Sequence, residues 1–297
     1  MSSPIPAIQI ENLGYAYGRA EAVHDLTLTV QPGRCYGLFG RNGAGKTTTM
    51  KCLLNLLRPQ RGQVRIFGLD PECHEVEVKR RLAYVPDQVA FYPWMSVRET
   101  LDYLASFRSH WNRKTEQDLL DRFRLDPAQR VGSLSKGQRT QVALIAAVCP
   151  ETDLLVLDEP TSGLDPIVRR EFIETVIGAY QEGNPGERSI LVSTHLIAEF
   201  EGLIDEFTIV DHGRSVLSLD SDHARQHYQK IHARFAQSPP ELDLKAALRV
   251  RRNGRELEII ANGGGAELLE RLRQHNPETL TTESLTLEEI FVATLQS

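Results

Sequence analysis

The chain has 297 residues, 41% of them hydrophobic, which is enough to build the core of one large domain or two ordinary ones. Charged residues make up 25% and the formal net charge is −6, so nucleic acid is disfavoured as the main partner. Four cysteines, Cys35, Cys52, Cys73 and Cys149, are scattered without metal-ligand or redox spacing and read as reduced, buried thiols.

The start, MSSPIPAIQIE, has no basic segment followed by an apolar run, so no signal peptide is expected. No apolar stretch approaches the ~20 residues needed to span a bilayer. If the protein works at a membrane, another chain supplies the spanning part. Ile8 to Tyr17 and Ala22 to Val30 read as short strands, and Gln31-Pro32-Gly33 as a turn. Cys35 to Phe39 reads as a buried strand running into a glycine-rich loop. Lys46 to Leu57 reads as the next helix, ended by Arg58-Pro59-Gln60-Arg61-Gly62, with a strand over Gln63 to Phe67. From Ser96 to Val148 the pattern is mostly helical, with polar joints near Asn112 and Asp126-Pro127. Leu154 to Leu157 and Ile190 to Ser193 are short apolar runs suited to central parallel strands. Phe207 to Val210 and Val216 to Leu219 close this α/β portion.

The polar stretch from Ser218 to Tyr228 reads as a junction to a small α+β unit. In that unit Ala247 to Arg252 and Arg255 to Ile260 flank Asn253-Gly254, a hairpin signal. Ala266 to Arg273 is helical in pattern, and Thr286 with Glu289 forms a capping box ahead of IFVATL. Gly263-Gly264-Gly265 has no lysine motif between strand and helix and reads as a turn.

GRNGAGKT, Gly40 to Thr47, fits the phosphate-loop pattern in full, between an expected strand and helix. Its glycines let several N–H groups point at phosphate oxygens. Gly40, Asn42, Gly43, Ala44, Gly45, Lys46, Thr47 and Thr48 are the candidate phosphate contacts; Lys46 brings mobile positive charge and Thr47 a hydroxyl for Mg²⁺. In LLVLDEP, Asp158 emerges at the C-terminal end of a buried strand, where open α/β sheets bind ligands, and is the candidate Mg²⁺ carboxylate. Glu159, just beyond it, is placed to orient and deprotonate an attacking water. LSKGQ, beginning at Leu134, opens an apolar helix: Ser135 can cap it, Gly137 permits close approach, and the helix start is a second anion site.

GRNGAGKT, LSKGQ, LLVLDE, SGLD (Ser162 to Asp165) and STH (Ser193 to His195) stand in the order seen in ABC-type ATPases, and Ile8 to Leu219 is similar to one nucleotide-binding domain of that family. The resemblance implies a P-loop NTPase α/β fold with a helical subdomain, over residues 6–220 with the helical part at 88–150. A small α+β C-terminal domain would follow at 221–297. It implies ATP and Mg²⁺, and a second copy of the chain as partner. Two copies would pair head to tail, so that Ser135, Gly137 and Gln138 contact the nucleotide held by the other copy. It places Tyr17 on the adenine, with Tyr15 a nearby competitor, His195 beside Glu159 and the γ-phosphate, and Asp165 between the two nucleotide sites. Lys136, where glycine is common, would add charge beside phosphate. In YVPDQ the proline aligns Asp87 with the metal-contacting loop position, and Gln88 is the alternative. Glu159, His195 and Lys46 would be the catalytic groups of an ATPase.

Arg80 to Leu104 and the ending ESLTLEEIF resemble exporters of the ABC-2 type, whose membrane subunit is a separate polypeptide. This implies an ATPase subunit at the cytoplasmic face of the cell membrane, driving export through a polytopic partner. The aromatic run Phe91, Tyr92, Pro93, Trp94 and Met95 is either a docking surface for that partner or part of the helical core. An ATP-dependent switch that regulates a complex without transport would use the same motifs.

Overall fold

The computed structural model describes residues 4–181, 188–240 and 247–296, so Met1 to Ser3 of the N-terminal reading lie outside the described residues. Strands β1 (Ile8–Tyr17) and β2 (Ala20–Val30) form an antiparallel ribbon, and β3 (Cys35–Phe39) leads through the glycine-rich loop into α1 (Lys46–Leu53). This helix stops four residues before the expected end. Asn55 turns left-handed at φ 56°, and the Leu56 and Leu57 N–H groups donate back to the Lys51 carbonyl, closing the helix end. β4 (Arg61–Ile66) then pairs with β1, giving the order β2-β1-β4.

Next come α2 (Glu75–Arg81) and β5 (Leu82–Val85), followed by the helical region: α3 (Val97–Ala105), α4 (Arg113–Arg122) and α5 (Lys136–Val148). Asn112 caps α4, as its position at a polar joint suggested. Within this region Glu116 is buried, its carboxylate accepting from Trp111 Nε1 at 2.5 Å and Arg113 Nη1 at 2.8 Å and pairing with Arg98. A buried charge persists only when so surrounded.

β6 (Leu154–Asp158), α6 (Pro166–Gln181), β7 (Ser189–Thr194), α7 (Ile197–Phe200), β8 (Glu206–Asp211) and β9 (Arg214–Asp220) complete the central sheet, ordered β5-β6-β7-β3-β8-β9. All neighbours in it run parallel except β8 and β9. Alternate residues serve opposite faces. Phe39, Leu157, Val192 and Phe207 pack toward the helical region, while Leu38, Val156, Leu191 and Val210 pack toward α1 and the β1-β2-β4 sheet.

The stretch expected to be a polar junction is instead structured. Asp220 caps α8 (Ser221–His227), whose Ser221 and Ala224 are buried, and Tyr228 opens β10 (Tyr228–Arg234). β11 (Ala247–Asn253), β12 (Glu256–Asn262) and β13 (Thr279–Ser284) join it in an antiparallel sheet ordered β11-β12-β10-β13. The hairpin forms, but Asn253 pairs with Glu256, so Gly254 and Arg255 make the turn, one residue later than expected. α9 (Gly265–Arg273) covers one face, packing Leu268 and Leu272 on Ile231, Leu257 and Ile259. α10 (Leu287–Gln296), started by the Thr286–Glu289 capping box, packs instead on α7 and α8. Leu285, Leu287, Ile290 and Ala293 thereby join the core cluster of the central sheet. Three thiols are buried, and burial raises Cys52 to about 11 and Cys149 to about 12. Cys73 is exposed, against the expectation that all four are buried.

Candidate active site

The parallel register sets the site. Leu38 and Asp158 both sit opposite Ser193, and Phe39 sits opposite Thr194. The three strands therefore end together, and the next residues, Gly40, Glu159 and His195, emerge on one edge of the sheet.

The phosphate loop is wound so tightly that side chains cannot enter. A Cβ on Gly40 would stand 2.6 Å from the Val210 carbonyl, and one on Gly45 would stand 2.4 Å from the Ala22 carbonyl. Gly43 and Gly45 have φ of 82° and 104°, available only to glycine at low cost. Ala44 is buried, with its N–H on the Arg41 carbonyl at 3.1 Å, and its own carbonyl accepts from Gly213. Asn42 is exposed at the loop tip, and Thr48 is buried on α1. Lys46 is 4% exposed. Its Nζ donates to the Gly40 carbonyl at 2.7 Å and lies 2.9 Å from Glu159 Oε1.

Glu159 joins these parts. It adopts φ 47°, a left-handed conformation costing about 1–3 kcal/mol in a non-glycine residue. Its N–H donates to the Ser193 carbonyl at 2.8 Å. One carboxylate oxygen meets Lys46 and the other meets His195 Nδ1 at 2.7 Å. The conformation is thus fixed from three directions. Lys46, Glu159 and His195, three readings from separate motifs, form one row, Lys46 ion-paired to one Glu159 oxygen and His195 hydrogen-bonded to the other.

Asp158 is buried, and the Thr47 hydroxyl donates to its Oδ1 at 3.3 Å. Burial raises the Asp158 carboxyl above its ordinary range. The neighbouring Ser193 and Thr47 side chains lower it, and the charges of Glu159 and Asp87 raise it further. A hydroxyl beside a carboxylate, both hard oxygen donors, fits Mg²⁺, which takes one or two protein ligands and completes its shell with phosphate and water. Among the described residues no cluster of three or more His, Cys, Asp or Glu offers an all-protein cage. Tyr84, absent from the sequence reading, stands in the same group. Its phenol is raised by burial and then by Asp158 and Asp87. The YVPDQ stretch held the signal: a tyrosine three residues before a candidate ligand, on a strand paired with β6. Asp87 is half-buried and acts on Asp158, whereas Gln88 is exposed.

The start of α5, the second candidate anion site, is held by its own capping box. Ser135 Oγ accepts from the Gln138 N–H at 3.1 Å, and Gln138 Oε1 accepts from the Ser135 N–H at 3.0 Å. Gln138 is therefore engaged in starting α5, while Ser135 keeps its hydroxyl proton to donate. Among the described residues, the helix start makes no hydrogen bond to Lys46, Glu159, Asp158 or His195. Lys136 Nζ donates to the Ser162 carbonyl at 2.6 Å. Asp165 caps α6, its Oδ1 accepting from Ile167 and Val168 N–H. Tyr17 is 49% exposed, edge-on to Tyr15 at 5.0 Å. Tyr15 is packed on the core, so Tyr17 is the ring available for stacking.

The comparisons with known proteins point to one family. A family model described as ABC transporter matches residues 23–162. The bacitracin transport ATP-binding protein BcrA of Bacillus licheniformis is 32% identical over 225 residues, covering 75% of this chain and 72% of that one. The ABC transporter ATP-binding protein YtrB of Bacillus subtilis is 24% identical over 292 residues, covering 96% of this chain and 97% of that one. A solved ATP-binding subunit of an ABC transporter superposes with a TM-score of 0.66 at 30% identity, over 74% of this chain and 92% of the other. With a complete phosphate loop, a buried aspartate beside its threonine and a glutamate held between lysine and histidine, the chain belongs to the ABC transporter family, as one of its ATP-binding, ATP-hydrolysing proteins.

Proposed function

We propose that this ATPase drives a membrane export complex of the ABC-2 type whose spanning subunit is a separate chain. The observation that carries this is a cleft of about 660 Å³ beside the ATP site, lined by Tyr84, Val89, Phe91, Leu104, Phe107 and Ala146 among others. Trp94, Tyr92, Tyr103 and Phe107 form a continuous aromatic row next to it, with ring centroids 5.0, 5.9 and 5.1 Å apart. Trp94 and Phe107 are 64% and 68% exposed. So much exposed aromatic surface marks a place for a partner. The cleft shares Tyr84 with the Asp158 group, which ties the docking surface to the nucleotide. No helix among the described residues is long and apolar enough to cross a membrane, which fits a spanning partner chain at the cytoplasmic face. The name of the bacitracin transport relative supports a transport role.

Within the site, Glu159 orients and deprotonates the attacking water, and His195 holds Glu159 in line. Lys46 and the loop N–H groups bind the β- and γ-phosphates, and Tyr17 stacks on adenine. Thr47 and Asp158, with Asp87 from the facing loop, would hold Mg²⁺, which when bound neutralises developing phosphate charge. Ser135 and Gly137 bind the nucleotide of a second, head-to-tail copy, because they lie away from their own phosphate loop, and Asp165 links the two sites. Residues 6–220 form the ATP-binding domain, with its helical part at 88–150. Residues 221–297 form an accessory domain with its own sheet, joined to the first through α10.

The test is to purify the tagged chain from native membranes in gentle detergent, as wild type and as Trp94→Ala. A polytopic membrane protein should co-purify with wild type in stoichiometric amount, and Trp94→Ala should lose it or lose export while keeping basal ATP hydrolysis. Recovery only with soluble partners, or unchanged export in Trp94→Ala, would contradict the proposal.

A further inference from the structure

The lysine of LSKGQ bonds to a turn that leads straight to Glu159. Lys136 Nζ donates to the Ser162 carbonyl at 2.6 Å. Its stem crosses Gly163, where φ is +70° and an added Cβ would stand 3.2 Å from Nζ. The Ser162 N–H in turn donates to the Glu159 carbonyl at 3.1 Å, and the Glu159 N–H donates to Ser193 at 2.8 Å. The other side of the turn is held as well. Arg169 Nη2 donates to the Leu164 carbonyl at 3.1 Å, and Arg169 Nη1 lies 2.5 Å from Glu199 Oε1. Glu199 also accepts from Thr161 Oγ1 at 2.6 Å. The turn after Glu159 is therefore strung between two cations, one from α5 and one from α6. Such fixation matters because Glu159 occupies a left-handed conformation that only its surroundings maintain.

We propose that Lys136 is a positioning residue for ATP hydrolysis: by holding Ser162 it fixes the backbone turn that aims the Glu159 carboxylate, and it couples the start of α5 to that carboxylate. A glycine at this place has no donor to reach the carbonyl. The proposal rests on the reading of Glu159 as the group that activates water.

The experiment measures steady-state ATP hydrolysis by the full chain as wild type, Lys136→Met, Lys136→Arg and Glu159→Gln, with melting temperatures. Methionine keeps the stem over Gly163 and removes the donor; arginine keeps a donor. Lys136→Met should lower kcat by about five-fold, the net effect of one solvent-exposed hydrogen bond. KM for ATP should stay within about two-fold, as for an interaction that matters in the transition state. Lys136→Arg should recover most of kcat, and all melting temperatures should stay close to wild type. Unchanged kcat in Lys136→Met would overturn the proposal. So would a raised KM at constant kcat, the mark of a lysine that simply binds phosphate. So would equal losses in the Met and Arg variants with a lowered melting temperature, the mark of a folding defect. Glu159→Gln separates the two levels. If it is inactive, each of these outcomes bears on Lys136 alone; if it still hydrolyses ATP, the Glu159 reading fails first and takes the proposal with it.

Discussion

Asp158 illustrates how a functional group is held at the expense of stability. It is buried at a strand end, bonded to Thr47 and crowded by the negative charges of Glu159 and Asp87. Its carboxyl is raised in the folded state, so the native chain holds that proton better than the unfolded chain does. Stability therefore declines as pH rises through the window between the ordinary carboxylate value and the raised one, and the deficit persists above it. Asp158→Asn removes the charge. It should abolish hydrolysis while stabilising the fold at neutral pH by on the order of 1 kcal/mol. The gain should vanish once the pH is low enough to protonate Asp158 in both states. Chemical unfolding of both proteins across acid and neutral pH checks this; a variant less stable at neutral pH would contradict it. Motif spacing picked out Asp158, Glu159 and His195 as candidates because each closes or follows an apolar strand. It could not show that Lys136 turns to Ser162, since a side chain's direction depends on neighbours 26 positions away.

At the scale of elements, α5 carries two duties that one substitution separates. Ser135 caps the helix and is proposed to face phosphate. Aspartate caps a helix as well as serine and suits the positive end of its dipole. Ser135→Asp should therefore leave the melting temperature near wild type, yet its charge repels phosphate, and hydrolysis should fall by about 100-fold or more. Retained activity would detach Ser135 from the nucleotide. The strands that bear motifs were legible because a buried parallel strand is continuously apolar, as in LLVL. Other elements left no such pattern. α8 buries only the small Ser221 and Ala224, so its sequence looks like a polar connection. β13, an edge strand reading TLTTES, is largely exposed and carries no apolar alternation. α1 ends where Asn55 adopts a left-handed turn, although the leucines beyond it continue a helical pattern.

Across the whole molecule, the start of α5 makes no direct hydrogen bond to Lys46, Glu159, Asp158 or His195 among the described residues. The phosphate loop closes on Lys46, Glu159 and His195, while the start of α5 bonds to the turn of Ser162. Under the proposed function a nucleotide joins them between two chains, and its hydrolysis releases them. On the same proposal, the aromatic cleft that includes Tyr84 transmits that change to the membrane partner. The C-terminal unit is not a loose appendage. Its last helix shares the core of the central sheet, and the Leu287 N–H donates to Glu201 just beyond α7, the helix that follows His195. The most direct test is the mass of Glu159→Gln in solution by light scattering, with ATP, with ADP and with neither. The prediction is that mass doubles with ATP and Mg²⁺ only, and that adding Ser135→Asp returns it to that of one chain. A Glu159→Gln protein that binds ATP and remains a single chain at every concentration would contradict the paired site.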